Sequence, residues 1–373
     1  MNKIIYLDAA ASAQKPDAVI NAQTAFLCDG YANAGRGICA RAAAVDDMVA
    51  AARSRVAQFI NANPDQVVFT SGATDGLNRV VNIIKNMPQY VECVTVAVSD
   101  LDHHSARLPW EYQTEFQLSW AQIVPMELDQ NMDIDIDRVP CADVMVITAM
   151  SNVMGTPQDV AAIVRAARAK NPHVITIVDA AQYAAHHTID VREWDCDFMC
   201  LSGHKIGADT GVGIMYIKKP NRFLPDKLGG GMVNVVRGIG DFSFNPPPEK
   251  FEAGTLPLTQ IAGIVPAIDY MVAHPVPREL VEYMYDRLRD MPRVRLLTRR
   301  DASLISFTVD GMHVLDFGAL IGAHGVCLRV GNMCATWIHR ALDIPGSIRI
   351  SPGPWNTMDE MRRVADIIEK MVK

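Results

Sequence analysis

Short β-branched runs alternate with helical stretches through the middle of this chain, and this alternation limits the fold more than any other feature. From residue 66 onward the runs are VVFT, CVTVAV, VMVIT and VITIVD, with a helical stretch between each run and the next. Two further apolar runs, at 198–201 and 212–217, flank a turn. Apolar strands separated by helices are typical of a parallel sheet with crossover helices. The sequence therefore predicts an α/β fold with a mainly parallel central sheet.

The segment before these runs is predicted to be helical with one long interruption. Residues 18–29 and 46–61 follow a helical pattern. Between them, GYANAGRGICAR at 30–41 contains glycines and arginines without clear periodicity. We predict an ordered loop for this stretch.

The last third of the chain has a different organisation. Helical stretches beyond residue 262 precede strands predicted at 304–309 and 326–330, and a final helix is predicted at 358–373. This pattern is typical of a smaller α+β domain. The expected division is a large domain at 16–261 and a small domain made of 1–15 and 262–373.

Composition limits the classes of partner and site. The chain has 373 residues and a net charge of -7, which argues against nucleic acid or an anionic membrane as its main partner. The stretch MNKIIYLD lacks the apolar region of a signal peptide, and no apolar run approaches transmembrane length, so we expect a cytoplasmic protein without membrane association. Its 8 cysteines include no CxxC pair, so we expect neither a disulfide framework nor a metal site.

Three polar segments follow predicted strands, and the first is FTSGATDG at 69–76. Its small residues leave backbone N–H groups free, and the start of the following helix favours an anion such as a phosphate group. The same segment is also an ordinary helix start, in which Ser71 or Thr74 caps the helix. Both interpretations stay open for this segment taken alone.

The other two segments are VDAAQ at 178–182 and SGHK at 202–205. Asp179 closes an apolar strand, where a carboxylate can face a cationic ring nitrogen or can cap the next helix. Lys205 lies in a turn between two apolar runs. In a partly desolvated pocket a lysine has a lowered pKa and can form a Schiff base with an aldehyde. Taken alone, a helix cap and a surface lysine are the simpler explanations.

Together the three segments match one cofactor. A phosphate-binding turn, a carboxylate and a lysine, each at a strand end, are the parts needed to hold pyridoxal 5′-phosphate. The turn at 69–76 would hold the phosphate, Asp179 would keep the pyridine nitrogen protonated, and Lys205 would hold the aldehyde. Sites in open α/β sheets lie at the carboxyl ends of the strands, where all three segments are predicted. We therefore expect a pyridoxal-phosphate site at this edge of the sheet.

The chain also resembles a known family over nearly its whole length. Eight motifs carry the resemblance: YLDAAASAQKP at 6–16, GYANAGRGI at 30–38, DLDHHS at 100–105, SNVMGT at 151–156, VDAAQ at 178–182, SGHK at 202–205, FEAGT at 251–255 and RVGNMCA at 329–335. They resemble the class V, fold-type I pyridoxal-phosphate enzymes, and most closely the group II cysteine desulfurases of the SufS/CsdA branch. The resemblance implies a fold-type I transferase.

This resemblance implies a role for most polar residues of the expected site. Lys205 would be joined to the cofactor, His103 would stack on its pyridine ring, and Asp179 would pair with the ring nitrogen. Gln182 would contact the phenolic oxygen. The residues implied to hold the phosphate are Ala73, Thr74, Ser202 and His204. Thr255 would reach the phosphate of the neighbouring subunit, which implies a homodimer with shared active sites.

The resemblance also implies a reaction on L-cysteine or selenocysteine. Asn152, Arg329 and Arg349 would bind the substrate, and a guanidinium suits its carboxylate because it can bind bidentately. Lys205 would remove the Cα proton, and Cys334 would attack the substrate sulfur as a thiolate, which leaves a persulfide on the protein and L-alanine as product. A SufE- or SufU-like acceptor protein would then carry the sulfur towards iron–sulfur cluster assembly or another sulfur pathway.

The sequence departs from the family pattern near several of these residues. Asn332-Met333 stands where a histidine pair usually precedes the catalytic cysteine, and Ala73 replaces a hydroxyl residue in the phosphate turn. In the early loop, Gly35 and Cys39 occupy positions where histidines are usual, while Arg36 is kept.

These departures leave other functions open. One alternative is a related class V enzyme, namely a selenocysteine lyase, a cysteine-sulfinate lyase or an aminotransferase. Another is a weakly active homologue that serves as a partner in a sulfur-transfer complex. The presence of Cys334 favours the desulfurase, because plain transamination has no need of that residue.

Overall fold

The computed structural model describes residues 4–35, 37–115 and 120–373. Its strands are β1 (Ile5–Tyr6), β2 (Val67–Thr70), β3 (Val94–Ser99), β4 (Ala121–Met126), β5 (Val144–Thr148), β6 (Ile175–Asp179), β7 (Phe198–Ser202), β8 (Gly213–Ile217), β9 (Val233–Gly238), β10 (Asp241–Phe244), β11 (Val294–Leu296), β12 (Ile305–Val309), β13 (Val326–Cys327), β14 (Arg329–Gly331) and β15 (Ser347–Ile350). Its helices are α1 (Asp17–Ala25), α2 (Ala40–Phe59), α3 (Ala73–Lys85), α4 (His104–Glu115), α5 (Val160–Lys170), α6 (Val191–Trp194), α7 (Leu258–Ala262), α8 (Ile264–Ala273), α9 (Arg278–Arg289), α10 (Val314–Ala323), α11 (Thr336–Ala341) and α12 (Met358–Val372).

The central sheet has the strand order β2-β8-β7-β6-β5-β3-β4. Strands β4, β3, β5, β6 and β7 are parallel, whereas β8 runs antiparallel to both β2 and β7. Every residue of β5, β6, β7 and β8 is buried, which explains why these strands appear in the sequence as unbroken apolar runs. The prediction of an α/β fold with a mainly parallel sheet is confirmed.

Helices cover both faces of this sheet. Apolar side chains of α2, α5 and α8 form one core with it, and those of α3 and α4 form a second core on the other face. Since α8 packs into the first core, packing favours a domain boundary after α8 over one at residue 262. The division into two domains stays a proposal.

A second, antiparallel sheet in the order β11-β12-β15-β14 belongs to the C-terminal part, where α9, α10 and α12 share its core. β1 pairs in parallel with β13, and Ile5 and Leu7 are buried in the same core. These contacts support the proposed assignment of the first residues to the small domain. None of the helices in the described part of the chain combines the length and apolar character needed to cross a membrane.

Three boundaries differ from the prediction. The helix expected at 46–61 already begins at Ala40, because the alanine-rich start ARAAA favours helix without giving an apolar period. The helix expected at 18–29 is α-helical as far as Ala25 and continues as a π-helical turn, Phe26–Gly30. The strand expected at 326–330 is two strands, since β13 pairs with β1 whereas β14 pairs with β15.

Candidate active site

A cavity of about 270 Å³ lies at the carboxyl ends of the central strands. The predicted site residues that line it are Ala73, Thr74, His103, Asn152, Asp179, Gln182, Ser202, His204, Lys205, Arg329, Cys334 and Arg349. They come from distant parts of the chain and meet because β3, β5, β6 and β7 are parallel and end at one edge of the sheet. Arg329, Cys334 and Arg349 are contributed by the C-terminal part.

Lys205 ends a single 3₁₀ turn, Gly203–Lys205, directly after β7. Burial lowers the pKa of its ammonium group; Asp179 opposes this shift, and Arg349 adds to it. Within the described residues Lys205 forms no salt bridge or side-chain hydrogen bond. A lysine whose pKa is lowered and whose amine is not held by another side chain is suited to bind an aldehyde covalently and to accept a proton.

The start of α3 lies close against the end of β7 and the start of β8. The N–H of Ala73 donates to Oγ of Ser202 at 2.8 Å. Gly213 makes this approach possible, since a Cβ at that position would lie 2.4 Å from the Cα of Gly72. The first turn of a helix carries N–H groups that attract anions, so this corner of the cavity suits a phosphate group.

His103 reaches the cavity as a neutral ring. Nδ1 of His103 accepts a hydrogen bond from the N–H of Ser105 at 3.1 Å, which places the ring proton on Nε2. Burial lowers the pKa of His103 to about 4, although Asp179 acts in the opposite direction. Oγ of Ser105 lies 2.7 Å from Oγ1 of Thr74 and so links this segment to α3. An uncharged imidazole is suited to stack on an aromatic ring.

Several polar atoms in the cavity have no hydrogen-bond partner within the described residues. Of the six buried side-chain atoms in that condition, four belong to cavity residues: Asn152 Oδ1, Gln182 Oε1, His204 Nδ1 and Arg349 Nε. Unpaired buried polar atoms are costly, so their clustering indicates a polar ligand. Pyridoxal phosphate offers a phosphate, a phenolic oxygen and a ring nitrogen. The residues present therefore fit that cofactor.

Asp8 is a site residue to which no role was assigned from the sequence. Its Oδ1 accepts from Nη2 of Arg349 at 3.0 Å, and its Oδ2 lies 2.7 Å from Nη2 of Arg329. Cross-strand pairing of β14 with β15 puts the two arginines directly opposite each other, an arrangement that is unfavourable for like charges. Asp8 compensates both charges and orients Arg349. Asp8 belongs to the motif YLDAAASAQKP at 6–16, which marked this segment as part of the family pattern but did not show what the carboxylate contacts.

Asp102 is a second carboxylate without a role assigned from the sequence. It is fully buried beneath the cavity wall and accepts hydrogen bonds from the N–H of Ser99 at 2.9 Å and from the hydroxyl of Thr148 at 2.7 Å. Thr148 lines the cavity and pairs in register with Asp179. Burial raises the pKa of Asp102 to about 7, against the lowering effect of these hydrogen bonds.

As pH rises from 5 to 8, the Asp102→Asn variant is expected to gain stability relative to the wild type. The carboxyl pKa is raised from 3.8 in the unfolded chain to about 7 in the folded protein. Between these values the folded state alone holds the proton, so its free energy of unfolding falls with rising pH. Thermal unfolding of the cofactor-free protein at several pH values measures this, and a melting-temperature difference between variant and wild type that does not change with pH would contradict it.

Cys334 lies in an exposed turn between β14 and α11, at the rim of the cavity. Met333 and Cys334 both have left-handed backbone, with φ of 51° and 54°, which costs roughly 1–2 kcal/mol for each residue with a Cβ. Two hydrogen bonds of 2.7 Å hold the turn: Asn152 Nδ2 donates to the Met333 carbonyl, and the His104 N–H donates to the Cys334 carbonyl. The cysteine is therefore exposed but held in one backbone conformation.

The remaining predicted positions lie away from the cavity. Thr255 is exposed and borders a separate groove together with Gly35. Cys39 is exposed directly before α2. Arg36, which the family pattern keeps, lies outside the described residues.

Comparisons with known proteins identify the family to which this chain belongs. The model of the family "Aminotransferase class-V" matches residues 5–364. The cysteine desulfurase of Cronobacter sakazakii is 33% identical to this chain over 97% of its residues and 91% of the relative's. The apo structure of a cysteine desulfurase from Thermococcus onnurineus NA1 has a TM-score of 0.92 at 26% identity and covers 100% of this chain and 95% of the other.

A second solved structure, the cysteine desulfurase CsdA of Escherichia coli, has a TM-score of 0.87 at 29% identity and covers 98% of this chain and 94% of its own. These matches confirm the family and the fold-type I architecture that the motifs indicated, and this family depends on pyridoxal phosphate. The chain belongs to the aminotransferase class-V family, where its relatives are cysteine desulfurases.

Proposed function

We propose that this protein is a pyridoxal-phosphate-dependent cysteine desulfurase that converts L-cysteine to L-alanine and receives the sulfur as a persulfide on Cys334. The observation that carries the proposal is that one cavity contains both Lys205 and an exposed cysteine. Lys205 with Asp179 suits many reactions of amino acids. Cys334 adds a nucleophile that can take sulfur, which transamination does not require.

The cavity residues divide into groups that match the parts of the cofactor. Lys205 would hold the aldehyde carbon, Asp179 the ring nitrogen, Gln182 the phenolic oxygen, and His103 the face of the ring. The phosphate would be held by Ala73, Thr74, Ser202 and His204. When bound, the cofactor supplies an electron sink that stabilises negative charge at the substrate Cα.

The chain's own residues then position the substrate and move one proton. Arg349, oriented by Asp8, and Asn152 would hold the carboxylate of L-cysteine. The lowered pKa of Lys205 increases the fraction of neutral amine near pH 7, so this group is suited to remove the Cα proton.

The sulfur step needs no outside oxidant or reductant. The Cys334 thiolate attacks the substrate sulfur, an S–S bond forms, and the Cβ–S bond breaks. The electron pair remains with the substrate carbons, which are protonated to give alanine. L-Cysteine and one protein thiol are thus converted to L-alanine and one protein persulfide.

Product analysis of the purified holoprotein tests this proposal. L-Cysteine with a thiol reductant is expected to yield alanine and sulfide in equal amounts. In separate reactions the holoprotein is given L-selenocysteine, L-cysteine sulfinate, or an amino acid together with a 2-oxo acid. Turnover of one of these without turnover of L-cysteine would replace the proposal by the matching class V activity. No turnover of any substrate would favour a role as a partner in a sulfur-transfer complex.

The proposal includes two kinds of protein partner. A second copy of the chain would complete the phosphate site through Thr255, which is exposed and borders a groove separate from the cavity of its own subunit. A SufE- or SufU-like acceptor in the cytoplasm would take the persulfide sulfur from Cys334 for iron–sulfur cluster assembly or another sulfur pathway. The exposure of Cys334 supports such a transfer, because an acceptor thiol must reach it.

Replacing Arg349 by lysine is expected to raise KM for L-cysteine by about 10- to 100-fold, since a hydrogen bond to a charged group contributes roughly 1.5–3 kcal/mol. Lysine keeps the charge, but a single ammonium group lacks the planar fork by which Arg349 contacts Asp8 and the Asn152 carbonyl. Steady-state alanine formation measures the effect, with Arg340→Lys at an exposed position of α11 as the matched control. An unchanged KM would contradict the assigned role of Arg349.

A further inference from the structure

The turn that carries Cys334 depends on contacts from outside itself. Gly331, Met333 and Cys334 all have positive φ, and two of the three carry a side chain. A backbone of this kind persists where surrounding groups hold it in place. The groups that contact it therefore determine where the cysteine sulfur lies.

His104 contacts this turn on both sides of the cysteine. Its backbone N–H donates to the Cys334 carbonyl at 2.7 Å. Its ring Nε2 accepts from the N–H of Thr336 at 3.3 Å and lies 3.0 Å from the Thr336 hydroxyl. Because the Thr336 N–H can act as donor alone, Nε2 must be the unprotonated nitrogen in this arrangement. Burial lowers the pKa of His104, which favours that neutral ring.

The ring of His104 is itself held by packing. It meets the ring of Trp337 edge-on, with 5.1 Å between centroids and an interplanar angle of 83°. The guanidinium of Arg107 lies 4.4 Å from the centroid of the same Trp337 ring. Arg107 is in turn fixed by salt bridges to Asp100 and Glu111. These contacts join the start of α4 to the start of α11.

The neighbours of His104 face the cavity, whereas His104 faces the turn. His103 and Ser105 are among the lining residues of the cavity in the described part of the chain, and His104 is not. A change of its side chain therefore leaves the expected cofactor contacts in place.

We propose that His104 is a positioning residue that holds Cys334 in line with the substrate through the hydrogen bond between its Nε2 and the Thr336 backbone. The inference rests on the proposed function, in which Cys334 is the sulfur acceptor. One histidine, His103, lines the cavity and would face the ring of the cofactor, and the next residue would hold the nucleophile in place. The motif DLDHHS thus connects the two reacting groups.

Two variants separate the hydrogen bond from the general shape of the side chain. In His104→Gln the amide oxygen can reach the place of Nε2 and accept from Thr336. In His104→Asn the shorter side chain places its amide at the position of Nδ1, and the acceptor for Thr336 is lost. Both variants keep the backbone N–H that contacts Cys334.

The first readout is the rate at which iodoacetamide alkylates Cys334 in the holoprotein without substrate, followed by peptide mass spectrometry. His104→Asn is expected to raise this rate about fivefold, the factor that corresponds to one ordinary hydrogen bond. The exposed Cys28 and Cys327 serve as internal references and should not change. His104→Gln should remain near the wild-type rate.

The second readout is the kinetics of alanine formation from L-cysteine. A loosened Cys334 reacts more often with a small reagent but is aligned less often with bound substrate, so kcat should fall by a similar factor of about five in His104→Asn while KM stays unchanged. Equal behaviour of the asparagine and glutamine variants, or wild-type behaviour of His104→Asn in both readouts, would overturn the proposal.

Two further measurements keep this test decisive. Thr336→Val removes the hydroxyl beside Nε2 but keeps the backbone N–H, so it should stay near the wild type in both readouts. His104→Ala also removes the acceptor at Nε2 and should shift both readouts in the same direction as His104→Asn, which serves if His104→Asn yields little folded protein. If the wild type forms no alanine from L-cysteine, the proposed function fails. The alkylation rates still decide whether His104 holds Cys334.

Discussion

Replacing Lys205 by alanine is expected to reduce alanine formation from L-cysteine by at least about 10³-fold, in line with the loss of a positioned general base. Lys205 is the one lysine that lines the cavity in the described part of the chain. The variant should also lose covalent attachment of the cofactor. Borohydride treatment followed by mass spectrometry measures this directly, because reduction fixes the cofactor to the lysine that holds it.

Lys15 provides a matched control for this experiment. Burial lowers the pKa of Lys15 as well, and its Nζ donates to the carbonyl of Ala13 at 3.0 Å. It is not among the described residues that line the cavity. Lys15→Ala should therefore keep both activity and the borohydride-fixed cofactor. Fixed cofactor in Lys205→Ala would show that another amine is the attachment site.

The same substitution has an expected effect on stability that separates a chemical role from a structural one. The pKa of Lys205 is lowered from 10.5 in the folded protein, so the folded state binds this proton less tightly than the unfolded chain does. Stability linked to this group is present above pH 10.5 and is lost as pH falls through the lowered pKa of the folded state. Cofactor-free Lys205→Ala should therefore melt no lower than the wild type at pH 7.

The sequence pattern located the buried strands of the central sheet, including β2 at one edge, and missed β4 at the other edge. Strands β5 to β8 have no exposed position, so each appears as an unbroken apolar run. In β4, Gln122 and Pro125 are exposed, and an edge strand tolerates both residues. Because β4 contains a polar residue and a proline, it does not form an apolar run, and the sequence pattern did not predict it.

Three segments of the predicted site could be found because they follow strands of the central sheet, whereas the family resemblance supplied the other site residues. The residues that orient them could not be found in this way. Asp8 contacts Arg349 across a separation of 341 residues, which no local pattern reports. Asp102 and His104 lie on either side of His103, but their partners are Thr148 and Thr336 on other elements. Their roles depend on side-chain direction, which the sequence of one motif does not define.

Replacing Cys334 by alanine is expected to abolish the protein persulfide and to lower alanine formation from L-cysteine by at least about 10²-fold, while the cofactor spectrum is retained. The reason is that Cys334 acts after Lys205 has moved the Cα proton. The side chain of Cys334 is exposed, so its truncation should leave the packing of the fold intact. In deuterated buffer the variant should therefore still exchange the Cα proton of L-cysteine, which mass spectrometry of the recovered substrate measures.

Cys327→Ala is the matched control, because Cys327 is also exposed but belongs to β13 and is not among the described lining residues of the cavity. It should keep full activity and persulfide. Loss of Cα exchange in Cys334→Ala would mean that the turn supports the site structurally. Undiminished alanine formation would mean that sulfur leaves without a protein nucleophile, and a related lyase would then replace the desulfurase. Exchange without alanine is the one result that assigns the two steps to the two residues, with Lys205 acting on the carbon and Cys334 on the sulfur.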